Sequence, residues 1–183
     1  MTVREVVVVD QPVLRRKAKK IVKLTAEHRK LIEDMIETLR DAPGVGLAAP
    51  QIGVSERLIV VEWADEPEHE DDPPRKKKLY VVVNPEIVWT SEEQVQGTEG
   101  CLSVPGWVGD VMRHEAVTVR GLNRNGDKIT IKAQGWLARI FQHEIDHLDG
   151  VLYIDKLVSR DTLHRVHEGD EETAEEQRAE AIG

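Results

Sequence analysis

The sequence predicts an α+β fold in which antiparallel β-sheets pack around a central helix, and three observations carry that reading. An apolar stripe at helical spacing runs from Ala26 to about Arg40. Val117 and Val119 alternate with polar residues, as do Ile129 and Ile131, and the two runs flank Asn125-Gly126, a strong hairpin signal. A second helical pattern begins near Gln134 and stops at Asp149-Gly150, because glycine just past the last periodic residue is the usual helix terminator.

Taken in order, Thr25 is placed to cap the first helix, whose stripe is Leu31, Ile32, Met35, Ile36 and Leu39. Gly44 to Gly53 reads GVGLAAPQIG, small residues that predict a loop entering a β-rich run at Leu58 to Val61. The segment 64–78 is an acidic run, then Pro73-Pro74, then Arg75 to Lys78, too polar to pack inside, and is expected as an exposed insertion. Leu79 to Val83 and Ile87 to Trp89 read as two strands. No internal repeat is visible. The chain divides into one domain over 1–158 and an acidic tail over 159–183, helical or disordered.

At 183 residues one domain can bury a core without disulfides. A formal charge of -9 argues against a broad nucleic-acid-binding face. The single cysteine points to a reducing compartment. The run Val6 to Val9, ended by Asp10, is too short for a signal core or a membrane span, and Glu5 and Asp10 do not suit a transit peptide. The expectation is a cytoplasmic protein without membrane contact.

His143-Glu144-Ile145-Asp146-His147 sets two imidazoles one helical turn apart, so both can reach one divalent ion from the same face. By composition alone, roughly 0.03 such patterns are expected by chance in a chain of this length. Trp136, Leu137, Ile140, Phe141, Ile145 and Leu148 share the half-circle of these three residues, whereas Arg139, Gln142, Asp146 and Asp149 fall on the other side. A carboxylate and two imidazoles on a core-facing arc need a metal or a partner. The bland alternative is a His-Glu hydrogen-bond pair in the core.

A catalytic ion wants a third protein ligand and one open position. Extended to HExxHxxGxxH, the motif matches at Gly150 but meets Tyr153 where histidine should stand. A downstream carboxylate, Glu168 or Glu171, lies in a polar tail with little to anchor it. Cys101, in Glu99-Gly100-Cys101-Leu102-Ser103, is the remaining candidate, although a lone cysteine is most often a small buried hydrophobe. A zinc endopeptidase and a metal-stabilised binding module without turnover therefore stay open on the residues alone.

GVGLAAPQ at 44–51, EGCLS at 99–103 and HEIDH at 143–147, in this order and spacing, resemble the three signature motifs of the peptide deformylases. The likeness extends from about Pro12 to Tyr153, leaving the 64–78 insertion and the tail individual. The resemblance implies that 1–158 is a single catalytic domain whose central helix binds the metal. It implies that Cys101, His143 and His147 are the ligands, that Glu144 is the general base, and that Gln51 with the Leu102 backbone N–H forms an oxyanion hole. Gly44, Val45 and Gly46 would bind the substrate, Val45 lining a pocket for a methionine side chain and the peptide lying as an added strand. The implied reaction is hydrolysis of N-formylmethionyl peptides and nascent chains to formate and a free amino terminus. Water made acidic by the ion would give its proton to Glu144. The family most often uses Fe(II), and Zn(II), Ni(II) or Co(II) suit the same ligands. The family's role also implies transient contact with the ribosome, without sequence-specific nucleic-acid binding. Glu99, Arg113 and Asp146 could orient the ligands or could equally be surface charges.

Overall fold

The computed structural model describes residues 2–65 and 73–166. Among them are two α-helices, α1 (Ala26–Asp41) and α2 (Gly135–Leu148), and eight strands: β1 (Gly46–Ala48), β2 (Leu58–Trp63), β3 (Lys78–Thr90), β4 (Gln94–Cys101), β5 (Val104–His114), β6 (Ala116–Leu122), β7 (Lys128–Gln134) and β8 (His164–Arg165). The strands form a five-stranded sheet in the order β1-β2-β3-β6-β7 and a three-stranded sheet in the order β4-β5-β8, every pairing antiparallel. The α+β class and the antiparallel sheets around a central helix are as the sequence predicts.

Around β2 the larger sheet is buried on both faces, and the period of two along that strand shows how. Leu58 and Val60 join α1 residues Leu31, Ile32, Met35, Ile36 and Leu39 in one core. Ile59 and Val61 join α2 residues Leu137, Ile140, Phe141, Ile145 and Leu148 in another. A strand sandwiched between two helices reads as a continuous apolar run, which is what Leu-Ile-Val-Val is. At the start of α1 the Thr25 N–H donates to His28 Nδ1 at 3.1 Å, closing the first turn with a histidine where Glu or Gln is usual.

Four local expectations change. Part of the glycine-rich segment is a strand, since Gly46, Leu47 and Ala48 pair with Val61, Val60 and Ile59. The two strands expected at 79–83 and 87–89 are one, β3, which passes Asn84-Pro85 by a register shift between Val83 and Glu86. Asn84 takes the left-handed conformation there, at φ 51°, and its side chain bridges the Ile21 N–H and C=O, so the irregularity is stabilised from outside the sheet. The Asn125-Gly126 hairpin exists, but as a longer loop between Leu122 and Lys128 in which Asn123 Oδ1 accepts from the N–H groups of Asn125 and Asp127. The fourth change is on α2: Arg139 and Gln142, expected on its solvent side, are both 6% exposed. The β4–β5 hairpin covers them, the Gln142 amide exchanging two hydrogen bonds with the His114 backbone.

In the segment assigned to the tail, Arg160–Thr162 make a 3-10 turn and β8 pairs with Trp107 and Val108. Most of the expected insertion (66–72) and the rest of the tail (167–183) lie outside the described residues.

Candidate metal centre

Helix α2 runs between the two sheets, and its sequence explains its position: Phe141, Ile145 and Leu148 face the apolar core while His143 and His147, one turn apart, face β4. Gly150 ends the helix at φ 76°, and a side chain there would also strike the Arg15 backbone at 2.8 Å. Cys101 ends β4. Leu102 and Ser103 turn the chain, so that Cys101 pairs with Val104 across a tight hairpin, and the sulfur is presented to the helix.

The three side chains converge. Cys101 Sγ lies 3.3 Å from His147 Nε2, which lies 3.3 Å from His143 Nε2. The three donor atoms all lie within 4.8 Å of one another. Sulfur and two imidazole nitrogens at this spacing can share one tetrahedral ion, so the residues fit the metal that the motifs imply. Burial disfavours charge on both rings, yet Cys101 and Glu99 hold the His143 pKa well above its ordinary value, while burial and the neighbouring His143 drive His147 well below.

Glu144 lies beside them, 4% exposed, and its Oε2 has no hydrogen-bond partner. Burial pushes its carboxyl up to about 7, which suits a group that must take and return a proton near neutral pH. Gln51 is 1% exposed, contrary to the usual surface position of an isolated glutamine. Its Oε1 accepts from the Ala48 N–H at 2.8 Å, and its Nε2 points at Cys101 Sγ, 3.6 Å away, and at Ser103 Oγ, 3.4 Å away. The carbonyl end fixes the amide so that its N–H groups face the centre. Gly44 and Val45 are half-buried at the entrance to β1, and Gly46 is buried within it. Strand β1 is the outermost in its sheet, so among the described strands one of its edges is unpaired.

The residues that sequence reasoning left undecided form a buried ionic network. Glu99, 5% exposed, accepts two hydrogen bonds from Arg113 (2.8 and 2.9 Å), one from Arg139 (2.9 Å) and one from His143 Nδ1 (2.8 Å). Although burial alone would raise it, these partners hold its carboxyl far below the usual range. Arg113 continues to Asp146 at 2.5 Å, and Asp146 to Lys156 at 2.9 Å. Glu99 therefore fixes the ring of His143 and points its Nε2 at the centre. Tyr153, standing where one motif would need a histidine, instead stacks on His143 at 6.2 Å between centroids, its hydroxyl donating to the Trp107 carbonyl.

Residues 3–162 match the family model described as polypeptide deformylase. A peptide deformylase of Symbiobacterium thermophilum is 53% identical over 182 residues, covering 100% of this chain and 78% of its own. One from Thermomicrobium roseum is 47% identical, covering 96% and 97%. Among solved structures, the peptide deformylase of Ehrlichia chaffeensis in complex with actinonin has a TM-score of 0.78 at 40% identity, covering 88% of this chain and 91% of that one. That of Thermotoga maritima has a TM-score of 0.76 at 37% identity, covering 87% and 100%. Sequence match, relatives and fold agree, and the chain belongs to the peptide deformylase family.

Proposed function

We propose that this chain removes the formyl group from the N-terminal formylmethionine of nascent polypeptides, by hydrolysis at a centre held by Cys101, His143 and His147. The observation that carries the reading is the convergence of those three donors with a buried carboxylate and a buried amide donor. Such a ligand set accepts Fe(II), which we take as the ion in cells, and equally Zn(II), Ni(II) or Co(II); the bound ion supplies Lewis acidity, making water nucleophilic near neutral pH.

The remaining steps belong to the side chains. Glu144 takes a proton from the attacking water as the new bond to the formyl carbon forms. When the C–N bond breaks, it returns that proton to the amine nitrogen, so that formate and a free amino terminus leave. Negative charge collecting on the formyl oxygen meets the Gln51 Nε2 donors and the Leu102 backbone N–H; losing one such donor typically costs about 3 kcal/mol of barrier. Gly44, Val45 and Gly46 present the outer edge of β1 to an extended peptide, whose backbone bonds are indifferent to sequence beyond the first residue. Val45 lines the methionine pocket. Glu99, with Arg113 and Asp146, orients His143. The 1–158 region is the catalytic domain, and the protein works in the cytoplasm, in transient contact with ribosomes; among the described residues no helix is long and apolar enough to cross a membrane.

The test is formate release from a formyl-Met tripeptide, run beside metal analysis. Wild type should release one formate per new amino terminus, and Glu144→Ala should keep its metal and lose turnover by about 10²-fold or more. Undiminished turnover in Glu144→Ala would sink the mechanism.

A further inference from the structure

Gly46 is buried, and nothing about its backbone calls for glycine. The glycines with positive φ are Gly53, Gly106, Gly126, Gly135 and Gly150, and Gly46 is not among them. It lies in a regular strand, paired with Val61. What an added side chain would meet is Glu144: a Cβ at Gly46 would stand 2.4 Å from Oε1, 2.8 Å from the carboxyl carbon and 2.8 Å from Cγ. No carbon approaches an oxygen that closely without displacing it.

The pattern along β1 agrees. Leu47 turns into the core beneath α1, whereas Ala48 turns into the core beneath α2. By the period of two, Gly46 and Ala48 share the α2 side, and both are small. Gly-Leu-Ala is thus a strand with one large face and one nearly bare face, and the bare face leaves the space that the Glu144 carboxyl occupies. The glutamate is 4% exposed, so it has little room to retreat.

We infer that Gly46 is a positioning residue for the general base: the hydrogen in place of a side chain admits the Glu144 carboxylate against β1, in line with Cys101, His143 and His147. This rests on Glu144 being the base, and it is distinct from the substrate-edge role of the same strand. The obstructed atoms are a side chain rather than backbone, so Gly46→Ala shifts the carboxylate and leaves the metal ligands in place.

The test is a double-mutant cycle of Gly46→Ala and Glu144→Ala, read by thermal midpoint, bound metal, and kcat and KM for a formyl-Met tripeptide. Gly46→Ala should keep one metal per chain, lower kcat about 10²-fold, and change KM less than about threefold. In the Glu144→Ala background the same methyl should cost no further activity and lower the midpoint less than it does in wild type, because the obstruction has gone. Should Gly46→Ala fail to fold while the double variant folds, the clash is with Glu144 and the inference stands. Wild-type kcat in Gly46→Ala, or an equal fall in midpoint in both backgrounds, would overturn it. If Glu144→Ala itself releases formate at the wild-type rate, the functional reading fails instead, and the midpoints still decide whether the two residues share one space.

Discussion

The two sides of α2 solve different problems with different chemistry. Toward the five-stranded sheet it offers Leu137, Ile140, Phe141, Ile145 and Leu148, which meet Ile59, Val61, Val82, Val117 and Val119 in an apolar core. Toward the β4–β5 hairpin it offers Arg139, Gln142, His143 and Asp146, tied by hydrogen bonds to the backbone of Val95, Gly97, Val111 and His114 and to Glu99 and Arg113. Apolar packing is non-directional and supplies stability, whereas a satisfied polar network fixes angles. The helix is held by the first face and aimed by the second, which suits a centre whose donors must meet within a few ångströms.

The contrast can be broken most severely at Glu99. Glu99→Ala leaves two guanidinium groups and an imidazole buried without their common acceptor, with an expected loss of about 3–5 kcal/mol in denaturant unfolding. Metal affinity, measured by competition with a chelator, should fall about 10–100-fold as His143 loses its orienting partner. Unchanged metal affinity would show that the network is merely structural.

Phe141→Ala attacks the other face. The ring is fully buried and meets Tyr80 edge-on at 5.5 Å, so truncation should cost about 3–5 kcal/mol. In the folded population metal affinity should stay within a few-fold of wild type. A loss matching that of Glu99→Ala would show that the two faces do not divide the work.

A smaller effect, remote from both faces, sets the scale. Asp34 on α1 is 1% exposed and accepts from the Thr2 N–H and the Lys30 ammonium, both at 3.0 Å. Burial raises its pKa, but those partners, Lys30 foremost, hold it below the ordinary value. A depressed folded pKa means stability that is fully present above the unfolded value of about 4 and is lost as pH falls through the lower folded one. Asp34→Asn should cost about 1–2 kcal/mol at pH 7. The gap between the two unfolding curves should close below pH 4, with metal content unaffected throughout. A gap that widened on acidification would reverse the sign argued here.

How much of this was legible in the chain follows from the same contrast. The apolar face announces itself by period, so both ends of α2 and the residues of its core could be placed, and His143 and His147 followed from their spacing. The polar face is invisible to periodicity. Arg139 and Gln142 look solvent-facing until β4 covers them, and β4, Gln-Val-Gln-Gly-Thr-Glu-Gly-Cys, has too few apolar residues to read as a buried strand. Glu99 and Arg113 lie 14 residues apart and meet only because β4 and β5 pair in register, Glu99 opposite Gly109 and Val95 opposite Arg113. Gln51 was placed by resemblance alone, because nothing local in Ala-Pro-Gln-Ile says that its amide will be buried against a sulfur. The glycine-rich motif was legible as a place of close approach, but what approaches Gly46 is a side chain nearly a hundred residues along the chain.

The most direct measurement is X-ray absorption on the protein loaded with zinc, since it reads the ligands without reference to turnover. One sulfur scatterer at about 2.3 Å with nitrogen scatterers at about 2.0–2.1 Å is the expected result, the sulfur disappearing in Cys101→Ser. A first shell of nitrogen and oxygen alone in the wild type would contradict the account.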